Sequence, residues 1–352
     1  MTDTISIPAP QKSPAVDEFA HLRDAARSAA SWDVVHRPLT AGTFRERIIA
    51  ARRALKLLEV ELASLPAVPQ AEGDNQRVSH IPALLDLRAN SRLLRAAISA
   101  VSNKPGELAR LPRVLLPAQQ DEPRIAAAAN LYLRTVAGGF FPQSFQAFIR
   151  ALQEQEPFTV GELWNIAAFL KFALLESMLE EARTLLDSPD SVTAPLLPIR
   201  LKSLRSIGHA EWVYIIEPLI AFDAILRQDP GGTYERMDFE SREQYRMRVA
   251  IIARYSDWTE SQVAQGALDL ARQGVENPSE DPRIHARRTH VGYYLLDKGF
   301  PQLVARTGYY PPFIDRSRAF IRAHADDFFL TGIELLTILF IAAVLFPLLP
   351  HS

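Results

Sequence analysis

Apolar positions along this chain recur every three to four residues, the period of an α-helix. Thr43-Phe44-Arg45-Glu46 is a capping box, the pattern in which a threonine and a glutamate three residues later satisfy each other's free backbone N–H. Behind it Ile48, Ile49, Ala51, Leu55, Leu58, Val60 and Leu62 form a stripe. Arg45, Arg47, Arg52, Arg53 and Lys56 take the other faces, and Pro66 and Pro69 end the helix. Leu84, Leu85, Leu87, Leu93, Leu94, Ala97, Ile98 and Val101 predict a second long helix over 81–101. A second box, Thr159-Val160-Gly161-Glu162, opens a helix to about Leu186. Its apolar face is wide, so it belongs at the centre of a core. A third, Thr259-Glu260-Ser261-Gln262, opens a helix that stops at Gly274. Further helices are expected over 16–31, 124–136, 143–153, 209–226, 239–255 and 282–298, with a short basic one over 314–324. Residues 64–79 read as a polar linker, 102–123 as a proline-rich connector and 187–198 as a loop. Asp229-Pro230-Gly231-Gly232 is a turn. No strand is expected, because short apolar runs such as Arg113 to Leu116 are flanked by prolines.

The last apolar run differs from the rest. From Phe328 to Pro350 the chain carries one charge, Glu334, and about 20 such residues span a bilayer core. Every Lys and Arg precedes it. Arg316, Arg318 and Arg322 flank it on one side, which is the cytoplasmic pattern. Glu334 is costly in lipid, so it is expected to snorkel near the helix start or to pair with another helix. The expected fold is therefore all-α, a multi-helix bundle with a C-terminal transmembrane helix. Its parts are a disordered N-terminus over 1–14, an α-helical cytoplasmic domain over 15–325 and the membrane helix over 328–350. The first residues lack the basic and apolar regions of a secretory signal.

Composition narrows the chemistry. Hydrophobic residues make up 48% of 352, enough for a sizeable core. The net charge of -2 excludes a globally basic nucleic-acid protein. With no cysteine there is no disulfide, thiol nucleophile or thiolate metal site. No D-x-D pair, phosphate-binding glycine loop, G-x-S-x-G or H-E-x-x-H is present. No two histidines fall at i, i+4, so no metal site is expected. Glu176, Glu180 and Glu181 crowd one helix and leave open a hydrolase with an unrecognised carboxylate pair, against the plainer reading of a solvated helix end.

Three segments stand out. One runs from Asp229 to Arg246 and holds Tyr234, Arg236, Asp238, Arg242, Tyr245 and Arg246. Another, 290–299, places His290, Tyr293, Tyr294 and Asp297 at i, i+3, i+4 and i+7, hence on one helical face. The third is Phe158 to Trp164. Each has a plain reading: a helix start with local salt bridges such as Asp238 to Arg242, or a satisfied polar seam with Asp297 serving a tyrosine. Each also has a functional one, in which tyrosines and arginines face a partner domain or a glucan.

At these places the chain resembles the N-terminal region of cyclic β-1,2-glucan synthases. The run DPxGxYxxMDFxTRxxYR is similar to 229–246, with Ser241 where threonine is usual and one extra glycine. HVGYYLIDxG is similar to 290–299, and LTIGELW to 158–164 with Phe158 and Val160 substituted. The stretch from Ile81 to Asn90 is similar to a further family segment. The resemblance implies part of a long inner-membrane enzyme that polymerises glucose from UDP-glucose with a divalent metal, trims the chain with a glycoside-phosphorylase-like part and closes it into a ring. The matching region precedes the first membrane helices and the glycosyltransferase domain. The expected function is thus a non-catalytic, membrane-anchored helical part that scaffolds downstream glycosyltransferase and glycoside-phosphorylase-like domains, truncated after the first transmembrane helix. The family's acidic metal motif and its Q-x-x-R-W motif have no counterpart here, so no catalytic residue transfers. The alternative is a self-standing, tail-anchored helical module that binds glucan or a protein.

Overall fold

The computed structural model describes residues 19–29, 32–35, 42–64, 75–103, 105–116, 120–187, 195–311 and 333–341. They are mostly helical and divide into two compact units, Met1–Ala221 and Phe222–Ser352.

The first unit contains α1 (Ala20–Ser28), β1 (Asp33–Val35), α2 (Gly42–Ala63), α3 (Asn75–Ala89), α4 (Ser91–Ser102), α5 (Pro105–Leu108), β2 (Arg113–Leu116), β3 (Gln120–Pro123), α6 (Arg124–Thr135), α7 (Pro142–Leu152), α8 (Val160–Asp187), α9 (Leu197–His209) and α10 (Trp212–Ile216). Helix α8 is central, as its wide apolar face predicts. It packs on α2, α4, α6 and α9 and buries Ile166, Phe169, Leu170, Leu174 and Met178. Phe44 of α2 meets Phe169 and Phe172 with ring centroids 5.4 and 5.7 Å apart. A second aromatic cluster joins Tyr132, Phe140, Phe145, Phe148 and Trp212. Burying each such ring contributes about 1.5–3 kcal/mol.

The all-helical expectation needs correction here. Arg113–Leu116 is the central strand of a three-stranded antiparallel sheet ordered β1-β2-β3. Its flanking prolines do no harm. Pro112 lies outside the strand, where its carbonyl accepts from Arg124 N–H at 2.8 Å. Pro123 is the last residue of an edge strand, where a missing N–H is tolerated. Full burial of Val114 drives the pairing. The expected helix over 81–101 is two helices. Helix α3 begins earlier, at Asn75, and runs through Pro82; the chain breaks at Asn90, whose side chain donates to Asp86 O at 2.7 Å and accepts from Arg205 at 3.0 Å. The expected helix over 209–226 is also broken, because Ala210 is extended and Pro218 starts a 3-10 turn at Glu217–Leu219.

The second unit contains α11 (Asp223–Leu226), a 3-10 turn (Tyr234–Arg236), α12 (Phe239–Arg254), α13 (Glu260–Glu276), α14 (Pro282–Arg288), α15 (Val291–Leu296) and α16 (Phe300–Thr307). Helix α13 carries the small, buried face of Ala264, Gly266, Ala267 and Ala271, against which α11, α12, α14, α15 and α16 all pack. Its capping box is formed in full by Thr259 and Gln262. The Asp229 turn is closed by Gly232 N–H to Asp229 O at 2.8 Å, with Gly232 at φ +59°, a conformation open to glycine.

The expected membrane helix over 328–350 is described only at 333–341, which is helical with every side chain exposed, Glu334 among them. No helix among the described residues is long and apolar enough to cross a membrane. Arg316, Arg318 and Arg322, the basic helix over 314–324 and the N-terminal residues 1–14 lie outside the described residues.

Candidate functional site

The singled-out segments converge on buried carboxylates. Asp223, at the start of α11, is buried. Its Oδ1 accepts from the Tyr234 hydroxyl at 2.7 Å and from Arg246 Nε at 2.8 Å, and its Oδ2 from Arg227 Nε at 2.7 Å. Arg246 is 0% exposed, and its second edge lies 3.6 Å from Glu243. Burial would raise the Asp223 carboxyl, but the Tyr234 hydroxyl and the Arg246 guanidinium outweigh it and hold the group below the usual carboxylate range. Burial, together with the hydrogen bond to Asp223, pushes the Tyr234 phenol far up, so it stays a donor.

Asp229 organises the second half of the hub. Its Oδ2 accepts from Thr233 N–H at 3.1 Å, Tyr234 N–H at 3.2 Å and His290 Nδ1 at 2.7 Å; its Oδ1 accepts from Val291 N–H at 2.9 Å. The far nitrogen of His290, Nε2, lies 3.0 Å from the Tyr245 hydroxyl. Burial opposes the charge on Asp229, yet these donors hold its carboxyl below the usual range. The Asp229–His290–Tyr245 chain has the order of a proton relay. At its end, burial and the nearby Asp229 charge both push the Tyr245 phenol above its ordinary value.

The third segment behaves alike in the first unit. Thr159 and Glu162 form the expected capping box, with Thr159 N–H on Glu162 at 2.9 Å and Glu162 N–H on Thr159 Oγ1 at 3.2 Å. The fully buried Glu162 also takes a bidentate pair from Arg124 at 2.9 and 2.7 Å, while Phe158 lies under that guanidinium at 4.4 Å. The motif thus stitches α6 to the head of α8.

Placement corrects several sequence expectations. His290, Tyr293, Tyr294 and Asp297 do not share one helical face. The expected helix over 282–298 breaks at His290, which is extended because Gly231 N–H takes the Thr289 carbonyl at 2.9 Å and Asp229 takes the next N–H. Tyr294 is buried and donates to Arg288 O at 3.1 Å, Tyr293 packs edge-on against it, and Asp297 is exposed at the helix end. Asp238 caps α12 through Ser241 N–H at 2.7 Å; Arg242 donates to Met237 O at 2.7 Å, and Arg236 to Gly232 O at 2.8 Å. The glutamates of α8 diverge. Glu176 pairs with Arg47, Glu181 pairs with Arg200 at 2.6 Å and caps α9 through Leu196 and Leu197, and Glu180 is exposed. No two of these form a facing acid–base pair. Among the described residues no group of three or more His, Asp or Glu is arranged to hold a metal ion.

Sequence reading overlooked Asp223 and Arg124. Asp223 lies in what looked like a continuous helix, with no local signal. Arg124 followed a proline at a helix start, where a charged residue reads as solvated.

Comparison with known proteins agrees with the motifs. No protein-family model matches the chain. The chain is similar to the cyclic beta-(1,2)-glucan synthase NdvB of Rhizobium meliloti (strain 1021), 24% identical over 275 residues, covering 54% of this chain. The chain spans 9% of that relative's length. At this level of identity, the chain is a distant relative of a segment of a cyclic glucan synthase.

Proposed function

We propose that the chain is a non-catalytic, membrane-anchored helical part of a cyclic β-1,2-glucan synthase-like glycosyltransferase, and that it scaffolds that enzyme's catalytic domains. One observation carries this reading. The buried charged residues of the resembling segments are spent inside the protein: Asp229 has four donors, Tyr234 and Arg246 both serve Asp223, and Glu162 has Arg124 and Thr159. Groups so fully engaged hold a shape and are not poised for turnover. UDP-glucose and its divalent metal would be bound by the downstream glycosyltransferase domain, next to the glycoside-phosphorylase-like one. The exposed apolar side chains of the helix at 333–341, with Ile338, Leu339 and Phe340 each more than 60% exposed, support the reading of a bilayer anchor. The helical region then lies on the cytoplasmic face of a bacterial inner membrane, on the side of Arg316, Arg318 and Arg322.

The test uses the whole chain expressed in bacteria. It should stay in the membrane pellet through an alkaline carbonate wash, its helical region should resist protease added to spheroplasts, and it should incorporate no glucose from UDP-glucose by itself. Release by carbonate, digestion from outside or glucose incorporation would each overturn the proposal.

A further inference from the structure

A groove of about 670 Å³ opens in the first unit, inside the range of roughly 300–1,000 Å³ typical of small-molecule sites. One wall is a face of α6 and its C-terminal turn. Ala127, Asn130, Arg134 and Gly138 follow one another at three- and four-residue steps and so lie in line. The other wall comes from Leu174 and Ser177 of α8, Arg200 of α9, Arg47 and Glu122. Trp32, just before β1, completes it.

The state of these side chains selects the ligand. Arg47 is held by Glu122 and Glu176, and Arg200 by Glu181 and the Ser177 carbonyl. Both guanidinium groups are thus already engaged, two cations by three carboxylates. Trp32, Asn130 and Arg134 differ: among the described residues, no hydrogen bond or ion pair engages the indole N–H, the amide or the guanidinium. The groove therefore presents one aromatic ring, one amide with paired donor and acceptor, and a single cation outside any ion pair, beside apolar Ala127 and Leu174. A phosphate would call for several free cations or a cluster of backbone N–H groups. A pyranose fits instead: its C–H face stacks on an aromatic ring, and its hydroxyls both donate to and accept from an amide and accept from a guanidinium. The end wall is closely packed. Ala137 sits at φ 49° and Gly138 at φ 81°, and Arg200 crosses Gly138 so closely that an added Cβ would lie 2.7 Å from its Cγ. The left-handed pair closes the C-terminus of α6, with Gly138 N–H donating to Leu133 O at 2.7 Å.

We propose that this groove binds a short, uncharged oligosaccharide, with Trp32 as the stacking platform and Asn130 and Arg134 as the hydroxyl-reading groups. The site is separate from the buried hub of the second unit. It goes beyond the scaffold reading, whose membrane-retention and glucose-incorporation tests it does not affect.

Calorimetric titration of the whole chain in detergent tests it, with β-1,2-, β-1,4- and α-1,4-linked glucose tetrasaccharides as probes and UDP and inorganic phosphate as counter-probes. At least one tetrasaccharide should bind with Kd below about 1 mM, and neither counter-probe should compete. Trp32→Ala should weaken binding by at least about tenfold. Trp32→Phe, which keeps a ring and guards against misfolding, should fall between the two. Asn130→Ala and Arg134→Ala should each weaken it several-fold, with unchanged circular dichroism. No tetrasaccharide binding, binding indifferent to Trp32→Ala, or displacement by UDP or phosphate would overturn the assignment.

Discussion

Asp223→Ala asks whether the hub of the second unit is structural. The substitution removes the acceptor of the Tyr234 hydroxyl, of Arg227 and of Arg246 Nε, and Arg246 is wholly buried. Breaking one side of a buried pair costs about 3–5 kcal/mol, because the other charge stays in the interior without its counterpart. Glu243, 3.6 Å from Arg246 on the far side, compensates in part, which sets the expectation near the lower end, about 3 kcal/mol. Hydrogen exchange of the α12 and α15 amides reads this locally, as suits a chain of two compact units. About 3 kcal/mol corresponds to exchange faster by roughly a hundredfold. Removing both charges, Asp223→Leu with Arg246→Met, should recover much of the loss, since apolar replacement of a buried pair is often neutral. If Asp223→Ala speeds exchange by less than about fivefold, or the double variant is no better than the single, the reasoning from desolvation is wrong.

Three further outcomes follow from other parts of the molecule. Glu162→Gln should destabilise the first unit by about 3 kcal/mol in denaturant-induced unfolding, because the buried Arg124 keeps only the partly exposed Glu156, at 3.3 Å, as a charged partner among the described residues, whereas Thr159→Ala should cost only the cap, about 0.5–2 kcal/mol. Gly138→Ala should destabilise by about 1 kcal/mol or more in the same measurement, because it combines a left-handed backbone with a clash against Arg200. Acid should loosen the second unit in a defined direction. Asp223 and Asp229 titrate below their unfolded values, so their contribution is complete above about pH 4–5 and is lost as pH falls through the lower folded values. Asp229→Asn should flatten this acid limb in exchange measured across the range, and a limb steeper in the variant would contradict it.

The sequence by itself determined where the helices α2, α8, α12 and α13 lie. Boxes at Thr159 and Thr259 are local chemistry, complete within four residues, and both form as written. The wide apolar face behind Thr159 announced a central helix, since an element apolar on most sides must be surrounded. The polar segments around Tyr234, Arg246 and His290 were also conspicuous as strings of residues. Only the tertiary structure decided what they do. Asp229 looked like a turn former and is one, but its carboxylate also takes a histidine 61 positions away. Asp223 carried no local sign of the arginine and tyrosine it would accept. The break at His290 and the pairing of Arg113–Leu116 with Asp33–Val35 come from contacts between segments far apart in the chain. A capping box is short-range and so readable in order, whereas the partner of a buried charge is chosen by packing, which brings together residues that no spacing rule connects.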